Sequence, residues 1–329
     1  TINAGNGDIY IYDAIGQSNA LGAFEINNTG RTILDFGVTA SSIDLSGATE
    51  ILLPFGVTLD TSAANGQVDI DGGAIDGGDL WVEAGSGNVN VGAIGQNSLM
   101  GYIEIYSTGI TTLNDNISAN NIEFYSDIQL ESNAITLSTA SSGGDVFIDG
   151  TINSPSGQDL TINTGNGGID IYDVIGQSNA LGAFEINNTG LTELEDGVTA
   201  SSIDLSGATE ILLSFDVTLD TSAANGQVDI SGGAIDSFGS FPENLTINAG
   251  SGDVNVDAMG QNEKIGNLAI NTTGIITLNS NISADSQNYI GSVRLADNLT
   301  LDGNSITFDS TIDGVTMGGA SLTLSAFGT

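Results

Sequence analysis

Short β-branched runs alternate apolar and polar positions along almost the whole chain: Thr-Ile-Asn at 1–3, Asp-Ile-Tyr-Ile-Tyr-Asp at 8–13, Phe-Glu-Ile-Asn at 24–27, Ser-Ile-Asp-Leu-Ser at 42–46 and Val-Thr-Leu-Asp at 57–60. A period of two sends successive side chains to opposite sides of a strand, so each run predicts a strand with one face inward. Gly, Asn, Ser and Asp separate the runs and supply turns. No stretch carries a helical period, and three prolines interrupt little. The expected class is all-β.

The pattern repeats itself. Residues 1–75 and 161–235 differ at 11 of 75 positions. A weaker half-period lies inside this duplication: AGNGDIYIYDAIGQ at 4–17 returns as AGSGNVNVGAIGQ at 84–96 and within LTINAGSGDVNVDAMGQ at 245–261. Four units of similar length result, 1–80, 81–160, 161–244 and 245–321, with the start of a fifth at 322–329. Between the long copies, Tyr10 becomes Asp170, Ile33 becomes Glu193 and Phe36 becomes Asp196, whereas Ile9, Ile11 and Leu34 reappear as Ile169, Ile171 and Leu194. Charge therefore enters at positions that alternation points outward.

About eleven strands in each unit are too closely spaced for hairpins with ordinary loops and suit a coil that bends after every strand. Three strands per turn predict a right-handed parallel β-helix of roughly 16 turns of about 20 residues, one continuous solenoid over 1–329 with uncapped ends, read as a piece of a longer array. Eleven is not divisible by three, so one arm in each unit is expected to be irregular, with AIDGGD at 74–79 the candidate.

Charge narrows the partners. Against 41 acidic residues stand Arg31, Lys264 and Arg294, for a formal charge of −38. Such a surface repels phosphate backbones and anionic membranes, which excludes nucleic acid as a partner. A hydrophobic fraction of 40% spread along the chain supports a folded core rather than disorder. There is no cysteine to form a disulfide, and no apolar run long enough to insert this segment into a membrane. Any export signal is expected outside the segment.

The order NLTINAGSGDVNVDAMG followed by IGNLAINTTGIITLNSNISA, within 244–284, resembles the repeats of filamentous-haemagglutinin-like secreted adhesins. These repeats combine a Leu-Thr-Leu-Asn strand, an Ala-Gly-x-Gly turn, a Val-x-Val strand and a Thr-Thr-Leu strand with Asn or Gly corners. The resemblance extends over all four units. It implies a right-handed parallel β-helix and a place in a very long bacterial protein, secreted or at the cell surface. The amino-terminal secretion domain of such proteins is not in this sequence.

Several motifs hold candidate chemistry, each beside a plainer reading. GNGD at 5–8 and GSGD at 250–253 are similar to part of a calcium-binding glycine-aspartate repeat, but they recur once per unit rather than in immediate tandem and Asp8 is Gly168 in its twin, which favours tight glycine turns. No specific metal site is assigned, no cofactor is expected, and calcium association would be weak and non-specific. The sequons at 27–29, 116–118, 187–189, 244–246, 281–283 and 298–300 read as corner asparagines. Threonine strands such as 58–60 and 218–220 suggest an ice-binding grid, but acidic residues interrupt it. Tyr10 and Tyr12, with Tyr172 in the twin, read as outward strand filling ahead of a sugar-stacking patch. The loop DSFGSFPEN at 236–244 replaces DGGD of the first copy and is the largest non-repeating piece, a longer corner or a contact site.

No catalytic residue is assigned. A glycan-cleaving β-helix needs carboxylates converging beside a balancing cation, and this chain has no histidine and three scattered basic residues. The expected function is non-enzymatic: a structural and adhesive segment of a large extracellular bacterial protein, acting as stalk, fibre or matrix component. Neighbouring copies or continued repeats end to end, and host or matrix glycans, are the expected partners. A carbohydrate- or receptor-binding module is the alternative, and a polysaccharide-active enzyme ranks third.

Overall fold

The computed structural model describes residues 1–239 and 241–326, so that 327–329 of the expected fifth unit lie outside the described residues. The described residues form a parallel β-solenoid of about 15 turns, with 31 strands and no helix. By internal contacts the chain divides into two compact units, Thr1–Gln158 with Asn163–Gly165, and Asp159–Ile162 with Asn166–Thr329.

In the first unit three stacks of hydrogen-bonded positions define three faces. One runs Ile9, Thr32, Ile51, Ile75, Ile94, Ile117, Leu137. The second runs Ile15, Val38, Leu59, Val82, Ile105, Phe124, Ile148. The third runs Phe24, Ile43, Val68, Val89, Thr111, Ile128, Ile152. Inward residues are almost all Ile, Val or Leu, and most of these are fully buried, each contributing roughly 1.5–3 kcal/mol through burial. β-Branched side chains fill a flat, parallel interior well because the next turn presents the same shape about 4.8 Å away.

The second unit repeats this winding. Its stacks run from Ile169 through Thr192, Ile211, Ile235 and Met259 to Ile282, from Ile175 through Val198, Leu219, Ile247 and Ile270 to Tyr289, and from Phe184 through Ile203, Val228 and Val254 to Ile276.

Turn length is uneven and on average a little above the expected length of about 20 residues, so the count of about 15 lies close to the expected roughly 16. The turn that brings Leu21 beside Ala40 is short, whereas the one that brings Val217 beside Leu245 is nearly half as long again, because the corner at 238–244 is long. The segment expected to be irregular, 74–79, keeps its pairing, with Ala74–Gly77 in register with Glu50–Leu53, but it buries Ile75 and Asp76 in succession and ends on Gly77 at φ +120°. Eleven strands per unit need no irregular arm when the repeats do not return to the same face. Ile9 lies in the first stack of its unit, while its repeat partner Val89 lies in the third. Within the second unit Ile169 shares a stack with Met259, and its partner Val254 shares one with Phe184. Each of the shorter sequence repeats thus advances by three and two-thirds turns, and equivalent side chains point in different directions.

Candidate functional site

The outward positions of the second face change character between Leu80 and Ile148. The strand Leu80–Gly85 carries Trp81 and Glu83 outward, Met100–Leu113 carries Tyr102, Glu104 and Tyr106, Ile117–Leu130 carries Glu123 and Tyr125, and Val146–Ile148 carries Phe147. Parallel register places them in rows along the face. Trp81, Glu104, Glu123 and Phe147 are successive neighbours in one row, and Glu83, Tyr106 and Tyr125 in the next. Alternation within each strand lets successive turns assemble a surface that no short motif encodes.

The rings form a partial ladder. Tyr106 and Tyr125 stack with centroids 5.0 Å apart, Tyr125 and Phe147 lie at 5.1 Å, and Trp81 meets Tyr102 at 6.4 Å with a 45° tilt. Trp81 leans over Gly56, where a Cβ would press on the ring at 2.6 Å. Glu83 takes the place of an aromatic beside Tyr106 on the preceding turn, so the ladder stops there. The result is an open slot of about 340 Å³ between Trp81 and Tyr106, walled by Glu83 and Glu104 and floored by Ser62, Val82 and Gly85.

Electrostatics set this face apart. Glu104 is held above the usual carboxylate range by burial first and then by the Glu123 carboxylate beside it. The Tyr125 hydroxyl donates to Glu123 at 3.0 Å, and its pKa is pushed up to about 12, chiefly by burial and then by this bond. Burial and the same carboxylate also raise Tyr102. Within residues 1–158 the one basic side chain is Arg31, which is bound to Asp8 at 3.3 Å and lies 3.9 Å from Glu50. The three glutamates of the face therefore lack a basic partner from their own unit.

The other units do not repeat this surface. Aligned on AGSG and IGQ/MGQ, the fourth unit has Thr246, Asn248, Asn267, Ala269, Asn271, Asn288 and Ile290 where the second has Trp81, Glu83, Tyr102, Glu104, Tyr106, Glu123 and Tyr125. There Asn271 donates to Asn248 at 2.8 Å, an amide ladder in place of rings.

The motifs singled out from sequence have other places. Gly5 and Gly250 adopt φ of +61° and +59°, as tight turns require. Asp8 accepts the Arg31 N–H at 3.1 Å and Asp253 that of Ile275 at 2.8 Å, so both carboxylates close the next turn. Among the described residues no three carboxylates converge as a metal-binding group. The sequon residues Asn116, Asn281 and Asn298 accept the N–H of Thr136, Thr300 and Ser321 at 2.7–2.8 Å, and Asn244 accepts that of Asn267 at 2.7 Å. Tyr10 and Tyr12 stack at 5.9 Å on an exposed corner; Asp170 replaces the first of them beside Tyr172. In the 236–244 loop Asp236 is buried, Phe238 and Phe241 are exposed, and Ser240 lies outside the described residues. A second corner groove in that unit gathers Tyr172, Phe215, Glu195, Asp196, Asp216 and Glu243.

Comparison with protein-family models, with characterised proteins and with solved structures found no match.

Proposed function

We propose that this chain is a structural and adhesive segment of a large extracellular bacterial protein, of the filamentous-haemagglutinin-like kind its repeats resemble. Within each unit the solenoid supplies a stiff framework, because successive turns are hydrogen-bonded along three faces. The face from Trp81 to Phe147 supplies the contact. One observation carries the adhesive part: outward positions filled by Thr, Asn, Ala and Ile in the fourth unit hold aromatic and acidic residues in the second. Outward rings on a strand add little to a solenoid that folds with asparagine in most of the same places, whereas an exposed Tyr106 and half-buried Trp81 beside carboxylates suit recognition of a partner.

Attachment tests this reading. Beads coated with the protein are expected to adhere to glycan-bearing surfaces such as cell-wall or extracellular-matrix preparations. Exchanging Trp81→Thr and Tyr106→Asn, the residues of the fourth unit, should abolish adhesion while leaving the β-type circular dichroism unchanged. Equal adhesion by the exchanged protein would remove the contact from this face.

A further inference from the structure

We infer that the slot between Trp81 and Tyr106 binds an amino-sugar unit of a cationic glycan, with the ammonium group held by Glu83 and Glu104. This assignment rests on the adhesive reading above and adds the chemistry of the ligand. Four observations lead to it. The slot is bounded by two aromatic side chains and two carboxylates, a combination that attracts a cation through both ring quadrupoles and charge. Arg31, the sole Lys or Arg of residues 1–158, is engaged by Asp8, so no basic side chain of this unit competes with a cationic ligand for the two carboxylates. The volume of about 340 Å³ exceeds the needs of a bare ammonium or guanidinium group and accommodates a pyranose ring, whose C–H face can lie on Trp81. Ser62, whose hydroxyl donates to Asp60 at 2.7 Å, keeps lone pairs on the slot floor for a sugar hydroxyl.

The geometry also limits what else can bind. On the far side of Tyr106, Tyr125 stacks on it and Phe147 leans on Tyr125 at a 41° tilt, so the ring-sized opening lies on the Trp81 side. Acidic polysaccharides are repelled by three glutamates and by the charge of −38. Neutral sugars would find the aromatic surface and leave the two carboxylates of the slot unneutralised.

Titration calorimetry on the whole protein, at low and at physiological salt, tests the assignment with three probes: a β-1,4-linked glucosamine hexamer, its fully N-acetylated counterpart and hexalysine. The glucosamine hexamer is expected to bind at least about tenfold more tightly than the N-acetylated one. Trp81→Ala and Glu104→Gln should each weaken it by about tenfold. Glu210→Gln, an exposed acid in the other unit, controls for diffuse attraction and should change nothing. Equal affinity for both sugars, sugar binding insensitive to Trp81 and Glu104, or hexalysine binding with the same dependence on Trp81 would overturn the amino-sugar assignment. If the hexamers fail while coated beads still adhere through this face, the ligand class falls and the adhesive reading stands. Loss of bead adhesion by unsubstituted protein would remove the adhesive reading itself.

Discussion

Aspartate serves as a corner residue here because a carboxylate accepts several N–H groups where a chain bends. Asp44, Asp60, Asp220 and Asp229 each accept the backbone N–H of the serine two residues on, at 2.8–3.1 Å. Asp76 is buried and accepts Asn97 N–H, the Asn97 amide and Ser98 N–H at 2.8–3.0 Å; Asp236, also buried, accepts the corresponding groups of Asn262 and Glu263 at 3.0–3.3 Å. Asp76→Ala strands these donors and should cost about 3 kcal/mol in denaturant unfolding, whereas Asp76→Asn should cost less. Gly95 begins the Gly-Gln-Asn corner with φ of +70°, and a Cβ there would collide with the Ser118 carbonyl. Gly95→Ala should therefore lower stability by about 2–3 kcal/mol, measurable as a fall in melting temperature. At this scale the sequence was readable in outline. Glycine turns and corner asparagines followed from residue type, but the groups that Asp76, Gln96 and the asparagines bind were hidden because they lie a full turn away, as in the Gln96 bond to Asn116 O at 3.1 Å.

At the scale of strands, period-two alternation located the elements, and the substitutions Tyr10 to Asp170 and Phe36 to Asp196 marked exposed positions, whereas Ile33, which becomes Glu193, is buried although it shares a row with Tyr10. Which strands become neighbours was not legible. Stacking depends on turn length, and turns range between the short one from Thr111 to Ile128 and the long one from Val217 to Leu245. For the same reason the face of Trp81, Glu104 and Tyr125 escaped notice: its members come from successive turns, and each alone is an ordinary strand residue. Its glutamates offer a test. Glu104 and Glu123 are direct neighbours on adjacent turns, and like charges so placed oppose folding by a few tenths of a kcal/mol. Glu104→Gln should raise the melting temperature slightly at neutral pH. Because folding raises the Glu104 pKa above 4.5, the penalty exists only where the carboxyl is ionised, and the advantage of the variant should fade as pH falls to about 4.5. A variant less stable than the parent at pH 7 would mean that Glu104 is held by favourable bonds outweighing the repulsion.

Charge governs the whole molecule. Forty-one acids against three bases leave most carboxylates without an ion pair, and stacking brings some side by side, as in Asp44 with Asp69 and Asp204 with Asp229. At neutral pH and low salt this repulsion opposes folding, and sodium chloride screens it as the Debye length shortens. Acid acts in two stages. Folding raises the pKa of Asp71, Glu104 and Glu243, in each case through burial first and then neighbouring carboxylates; these groups bind protons more readily in the folded state, so stability rises as pH falls from neutral towards their ordinary values. Asp216 shifts the other way, lowered by the Asn244 N–H and amide that donate to it. Its contribution is present above 3.8 and is lost as pH falls through its depressed folded value, along with the bonds of any other capping carboxylate that takes a proton. Melting temperature should therefore peak in mildly acidic solution, near pH 5, and increase by several degrees with sodium chloride at pH 7 but by less at the acidic peak, where fewer charges remain to be screened. Scanning calorimetry across pH 3–8 at two salt concentrations checks this. A melting temperature that falls steadily from pH 7 downwards would show that the capping bonds of the carboxylates, rather than their mutual repulsion, dominate even at neutrality.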